Sequence, residues 1–443
     1  MDEHTHTPVD VKENFVLTPA LKGLIARLAI IGGIVTVVGL IIILLGGVEG
    51  IFHTGGHDAA HGAAGSHGGE HAGEHHAVFH WTDIIKSNLW TNTVFFLGMS
   101  LLGFFFFAVQ YAANSGWSVP IVRVMMAFGR YVPIMGILLF LIFLWGNHQI
   151  FHWTHGYLYE KGNPDFDPIL YNKRGFLNIP FYLIRMVFFV GVWTLFWWML
   201  NKITVNEDQH IDSVVHFRRS QRISVAFLIF FGVSESIASW DWIMSIDPHW
   251  FSTLFGWYCL SSWLVAALCA MTFITIMLQQ RGYLKIVNEN HLHDLGKYIF
   301  GFSIFWSYLF ISQFLLIYYA NMPEETIYFV DRLGNPDYKG LFFFMLFLNF
   351  LFPLLALMTR DAKRKKTFLK VICPIVFIGH WLDFYLLITP GTLKSMGGMS
   401  LFAVGVGLVF LAGFAFTVFK GLTKHSLIPV NHPLLDEAIN HHT

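Results

Sequence analysis

The sequence predicts an all-α integral membrane protein of ten transmembrane helices, built as two similar four-helix bundles plus two flanking helices. Three observations carry this prediction. Only 13% of the 443 residues are charged while 55% are apolar, against ~25% charged in an average soluble domain. The apolar residues gather into ten runs, each long enough for the ~20-residue helix that crosses a bilayer. Short motifs in the second to fifth runs recur in the same order in the sixth to ninth. The same composition excludes a water-soluble enzyme, a nucleic-acid binder and a disordered chain.

A polar segment, 1–23, leads into the first span, 24–47, which is too long for a signal-peptide core and reads as an uncleaved anchor. A loop at 48–87 carries His53, His57, His61, His67, His71, His75, His76 and His80 among Gly and Ala. Its irregular spacing builds no preorganised metal geometry, so it reads as a flexible loop with weak metal affinity at most. The first bundle, 88–244, holds spans at 88–113, 128–150, 180–201 and 222–244. The second, 252–389, holds spans at 252–279, 297–320, 340–358 and 369–389. The tenth span is 398–419, followed by a tail at 420–443.

Orientation follows from the basic residues. With the N-terminus cytoplasmic, 20 of the 28 Lys and Arg fall in cytoplasmic segments, seven in outer loops, and Arg185 within a span. Both termini are therefore expected in the cytoplasm. The basic run at 360–370 reads as a stop signal beside anionic headgroups.

The repeat rests on four matches. Trp90-x-x-Thr93 answers Trp250-x-x-Thr253, and Gly129-Arg130-Tyr131 answers Gly296-Lys297-Tyr298. Lys173-Arg174-Gly175-Phe176 answers Tyr338-Lys339-Gly340-Leu341. Trp240-Asp241 before Pro248 answers Trp381-Leu382-Asp383 before Pro390, each Asp standing seven residues ahead of its Pro. Four spans per copy gives both copies the same orientation, a parallel repeat.

Ionisable residues inside a span are costly and normally face a bundle interior with a role. His148, His152 and His155 at i, i+4 and i+7 share one helical face at the outer end of the third span. Arg185 lies just inside the outer end of the fourth, and the fifth carries Glu235 near mid-membrane and Asp241 beyond it. Gln313 lies in the seventh span, and His380 and Asp383 share a face of the ninth. The first copy is the richer and is expected to be the active bundle. A His and a carboxylate held dry near the outer face suit quinol oxidation, which releases two protons. Burial moves such groups toward the neutral range where they accept protons efficiently. On this reading His148, His152, Arg185, Asp241 and His380 contact quinol, and Glu235, Asp241 and Asp383 move protons.

Two other readings stay open. A b-type haem between His148 and His380 is the one plausible interior histidine pair. Alternatively, the histidines and acids satisfy one another and fix helix packing. No metal site is expected. Cys259, Cys269 and Cys373 lie in apolar runs without CxxC or CxxCH, so neither an iron–sulfur cluster nor a covalent haem is expected in this chain.

The stretch from His293-Asp294-Leu295-Gly296-Lys297 through Phe305-Trp306-Ser307-Tyr308, Ser312-Gln313-Phe314 and Tyr319-Ala320-Asn321-Met322-Pro323-Glu324-Glu325 resembles the F subunit of bacterial alternative complex III. Ser239-Trp240-Asp241-Trp242-Ile243-Met244-Ser245 with Pro248-His249-Trp250-Phe251-Ser252 does so too, and the likeness extends over all ten spans. The resemblance implies a relative of the complex's larger membrane subunit and of polysulfide-reductase membrane subunits. It implies a bacterial inner-membrane complex that oxidises quinol, such as menaquinol, and passes electrons to a carrier such as cytochrome c. Haem c and iron–sulfur partners, a related membrane subunit, a second quinone-binding role and a proton path are further implications. A proton-conducting or structural subunit without its own quinone is the alternative. A secondary transporter is a third, prompted by the repeat.

Overall fold

The computed structural model describes residues 12–45, 81–208, 213–394 and 398–442; the histidine-rich stretch 53–80 lies outside them. Among the described residues no strand element occurs. Ten helices are long and apolar enough to cross a membrane: Pro19–Leu44, Trp81–Ala112, Gly116–Ile150, Ile179–Glu207, Val214–Ile246, Phe255–Gln279, Glu289–Ala320, Pro336–Ala356, Lys366–Leu393 and Leu401–Leu422. The chain is an all-α, multi-pass membrane protein. These are numbered below as the first to tenth spans.

Several helices run past the apolar stretches because polar caps and Pro-led first turns set their ends. Asn288 accepts from the backbone N–H of Asn290 and His291, so the seventh span begins at Glu289, well before the apolar run at 297. Asn178 caps the fourth span through the Phe181 N–H, with Pro180 in its first turn, where a missing N–H costs nothing. One element was not expected: Pro323–Leu333 is a separate short helix, with Tyr328, Phe329 and Arg332 buried. The spans expected at 297–320 and 340–358 leave these residues between them. A Pro at the helix start, two acids in the first turn and Arg332 in the last make it self-consistent.

The second to fifth spans pack as one ring of neighbours and the sixth to ninth as another. The second span also packs on the sixth and ninth, and the fifth on the sixth, so the rings share a wall. The first span lies along the tenth, which leans on the second. Helices in lipid associate by close packing rather than by escape from water, and glycines supply the approach. A Cβ on Gly98 would fall 2.0 Å from Trp263 Cε2, and one on Gly39 would fall 2.3 Å from the Phe402 backbone nitrogen. Gly98→Val is therefore expected to push the rings apart and cost ~1–3 kcal/mol, the usual range for overpacking. Thermal unfolding in detergent reads this directly, and a wild-type melting temperature would refute the shared wall at this point.

The two ends of the bundle differ. One, the termini face, gathers the described chain ends: Leu427 N–H donates to Glu13 O at 2.8 Å, and Asn288 Nδ2 donates to His441 O at 2.9 Å. The other, the far face, carries the connections at 151–178, 243–254 and 321–335.

Candidate functional site

The two repeated aspartates end in different surroundings. In the first ring, Asp241 is clasped by Arg185 of the fourth span. Arg185 Nε donates to Oδ2 at 2.7 Å and Nη2 to Oδ1 at 2.9 Å, while Nη1 reaches Phe176 O at 3.1 Å. The guanidinium lies 3.9 Å from the centroid of Phe176 and 4.2 Å from that of Phe181. Both side chains are buried. This bidentate fork is the strongest geometry an Arg–carboxylate pair adopts.

In the second ring, Asp383 meets no cation among the described residues. Tyr258 Oη donates to Oδ1, and Ser262 Oγ and Trp306 Nε1 donate to Oδ2 at 2.7 and 3.0 Å. Ser262 Oγ also pairs with His380 Nδ1 at 2.9 Å. The His380 ring stands edge-on to Trp306 at 5.5 Å, and its Nε2 is buried without a hydrogen-bond partner among the described residues. His380 and Asp383, three residues apart on the ninth span, thus share Ser262. The neighbouring eighth span contains a π turn at Phe347–Leu351, from which Asn349 Nδ2 donates to Gly379 O at 3.0 Å. It is fastened one residue before His380.

Pro390 lies on the ninth span between Asp383 and the far face. A proline within a helix removes the N–H that would bond the carbonyl four residues back, here that of Leu386. Arg332 Nε donates to Leu386 O at 3.0 Å instead, Nη2 donates to Leu387 O at 3.1 Å, and Nη1 returns to Tyr328 O at 2.7 Å. The guanidinium lies 3.4 Å from the centroid of Tyr328, which stacks on Trp250 at 3.9 Å. Nη2 also contacts the partly exposed Asp247 at 3.5 Å. Between Asp383 and Arg332 a space of about 20 Å³ remains, with Tyr258 and Gln313 in its wall. One water needs ~10–15 Å³ by this measure.

Glu235 of the fifth span is buried where the two rings meet, and its Oε1 has no hydrogen-bond partner among the described residues. Its span approaches the sixth closely, since a Cβ on Gly256 would fall 3.0 Å from Ser236 Oγ. Cys259 of the sixth span lies within electrostatic reach of both Glu235 and Asp383.

His148 and His152 do not join Arg185 and Asp241, contrary to the expectation from sequence. The third span ends at Ile150 and His152 opens a 3₁₀ turn, so the helical spacing that aligned them with the interior stops short. Both are exposed. His148 Nδ1 pairs with Thr154 Oγ1 at 3.0 Å and its ring stacks on His155 at 5.2 Å. His380 lies buried in the other ring, so the His148–His380 pair does not face one haem cavity. Among the described residues, no group of three or more His, Cys, Asp or Glu is close enough to hold a metal ion.

Sequence reading missed Arg332, which is one of the seven cations expected in outer loops, together with Tyr258, Ser262 and Trp306. The spacing Arg332–Pro390 carries no local signal. It also missed a polar cluster at the termini face. There Arg123 Nη2 pairs with Asp208 at 2.6 Å, and buried Glu207 has neither carboxyl oxygen hydrogen-bonded. Nearby, His432 packs edge-on against Tyr111 and Phe217 and accepts from Leu434 N–H through Nδ1 at 3.2 Å. Burial, then the Arg123 charge, pushes its pKa down to about 4, so it folds as the neutral form. Its contribution is complete above pH 6.5 and is lost as pH falls toward 4, on the order of 2 kcal/mol by pH 5. Proteolysis of the segment 424–442 should therefore accelerate on acidification from pH 7 to 5, and His432→Phe should flatten the response. An equal acid response in that variant would assign the effect elsewhere.

A scan against models of protein families gives no match, and neither does a search of curated proteins.

Proposed function

We propose that this chain is a proton-conducting membrane subunit of a quinol-oxidising respiratory assembly of the alternative complex III type, in a bacterial inner membrane with both termini cytoplasmic. The observation that carries the proton role is the cage around Asp383. A buried carboxyl held only by neutral donors exchanges a proton without breaking an ion pair, whereas Asp241 in its Arg185 fork does not. The second ring is thus the conducting one, rather than the first.

The path has residues in stated roles. Glu235 and His380 are the inner stations, each with an unpartnered polar atom. Asp383 is the exchange point, Ser262 relays between it and His380, and Tyr258 lends or withdraws a hydrogen bond as the carboxyl changes state. A water in the space beside Asp383 links it to Arg332 and Asp247 at the far face, which the basic-residue asymmetry makes the outer one.

That space does not fit a quinone ring, since about 20 Å³ holds a single water. No quinol step is therefore assigned to this pocket. Quinol oxidation and the redox centres belong, on this reading, to the partner subunits that the motif resemblance implies: haem c and iron–sulfur proteins and a related membrane subunit. Affinity purification through this chain from its native membrane is expected to bring down a coloured complex with haem c absorbance. A lone, colourless chain that moves a solute in vesicles would overturn the assembly reading in favour of a transporter.

A further inference from the structure

Among the described residues, a groove of about 500 Å³ runs down the seventh span from the termini face, away from the proton path. Its wall reads in helical order: Lys297, Gly301 and Phe305 four residues apart on one row, Tyr298 and Phe302 on the next, with Trp117 opposite. From Lys297 to Phe305 is ~12 Å along the axis at 1.5 Å per residue. The groove is thus charged at its mouth, amphipathic below it and aromatic at depth. Trp117 and Tyr298 lie nearly parallel with centroids 5.9 Å apart, at the level where such rings favour the headgroup boundary. Gly301 is exposed on the floor, and a Cβ there would meet nothing within 4 Å. Unlike Gly98, it is not spent on a helix contact.

The mouth is electropositive. Lys297 is half exposed and pairs with Asp294 Oδ1 at 2.5 Å. The second oxygen of Asp294 is taken by His441 Nε2 at 2.6 Å. Lys363 packs against the seventh span at Gly296, and Arg364 reaches Asn290 of the same span at 2.7 Å. Lys297, Lys363 and Arg364 and the one acid Asp294 all lie within electrostatic reach of His293, so the local balance of charge is positive, although the Lys363 ammonium is held by Leu357 O at 2.8 Å.

We propose that this groove is a binding site for an anionic phospholipid. The phosphate sits at the Lys297 ammonium, the glycerol esters lie against Trp117 and Tyr298, and one acyl chain runs over Gly301 to Phe305. The charge at the mouth selects an anionic headgroup over a zwitterionic one, as basic pockets between membrane helices do. The polar-to-apolar order along the helix matches a lipid amphiphile lying parallel to the span.

The test uses the protein with whatever subunits accompany it, washed in detergent. Native mass spectrometry and headgroup analysis of wild type, Gly301→Phe and Lys297→Glu count retained lipid. Wild type is expected to keep an anionic phospholipid, Gly301→Phe to lose at least fivefold of it, and Lys297→Glu to lose anionic but not zwitterionic lipid. Should Gly301→Phe fail to fold, thermal stability of wild type and Lys297→Glu in phosphatidylglycerol against phosphatidylcholine vesicles decides. The proposal expects stabilisation by phosphatidylglycerol in wild type alone. Equal anionic lipid in all three proteins, equal stabilisation of both, a quinone recovered in place of the lipid, or a subunit cross-linked through position 301 would each overturn it.

Discussion

Asp383→Asn is expected to slow proton transfer roughly a hundredfold, the lower end for loss of a positioned acid–base group, while the protein still folds and assembles. Asn keeps the shape of the site. Its carbonyl can face Ser262 and Trp306, which both donate to Oδ2, and its amide can face Tyr258, whose hydroxyl then accepts. The Tyr258 O–H then loses its acceptor, so a stability cost of about 1–3 kcal/mol accompanies the loss of exchange. The assay is proton release from the complex reconstituted in vesicles, measured beside electron flow from quinol to a soluble acceptor. Asp383→Glu keeps a titrating carboxyl and should recover part of the rate. Wild-type proton release from Asp383→Asn would end the case for this path. A loss of electron flow with proton release per electron unchanged would instead place quinol chemistry here.

The Arg185–Asp241 pair should behave in the opposite way. Arg185→Met leaves a carboxylate buried without its counter-charge and is expected to cost ~3–5 kcal/mol. The double variant Arg185→Met/Asp241→Leu removes both charges and should regain most of that loss, since well-packed apolar replacements of buried pairs are often neutral. Melting temperatures of the two variants in one detergent form the comparison. If the single variant melts like wild type, the fork contributes nothing to stability. If the folded double variant loses proton transfer, the first ring conducts and the assignment to the second is wrong.

These two predictions separate residues that occupy equivalent places in the repeat. Asp241 and Asp383 stand at the same place in the repeat, seven residues before a proline, with nothing local to tell them apart. The richer inventory of the first copy pointed to it, and it is there that the acid is locked. His148 and His152 mark another limit of local reading. Helical spacing aligned them only while the helix continued, and it ends at Ile150.

What the sequence by itself determined was the solvent and the frame. Span length, hydropathy and basic asymmetry are properties of neighbouring residues, so ten helices, their order and the polar positions within them could be read directly. What only the tertiary structure decided was the chemistry of each polar position. The donors to Asp383 lie 125, 121 and 77 residues away along the chain, and Arg332 meets the carbonyl freed by Pro390 from 54 residues away. A carboxyl's readiness to exchange a proton depends on whether a cation or a neutral donor faces it in a dry interior. Which of the two stands there is set by how ten helices pack, and no local pattern records it.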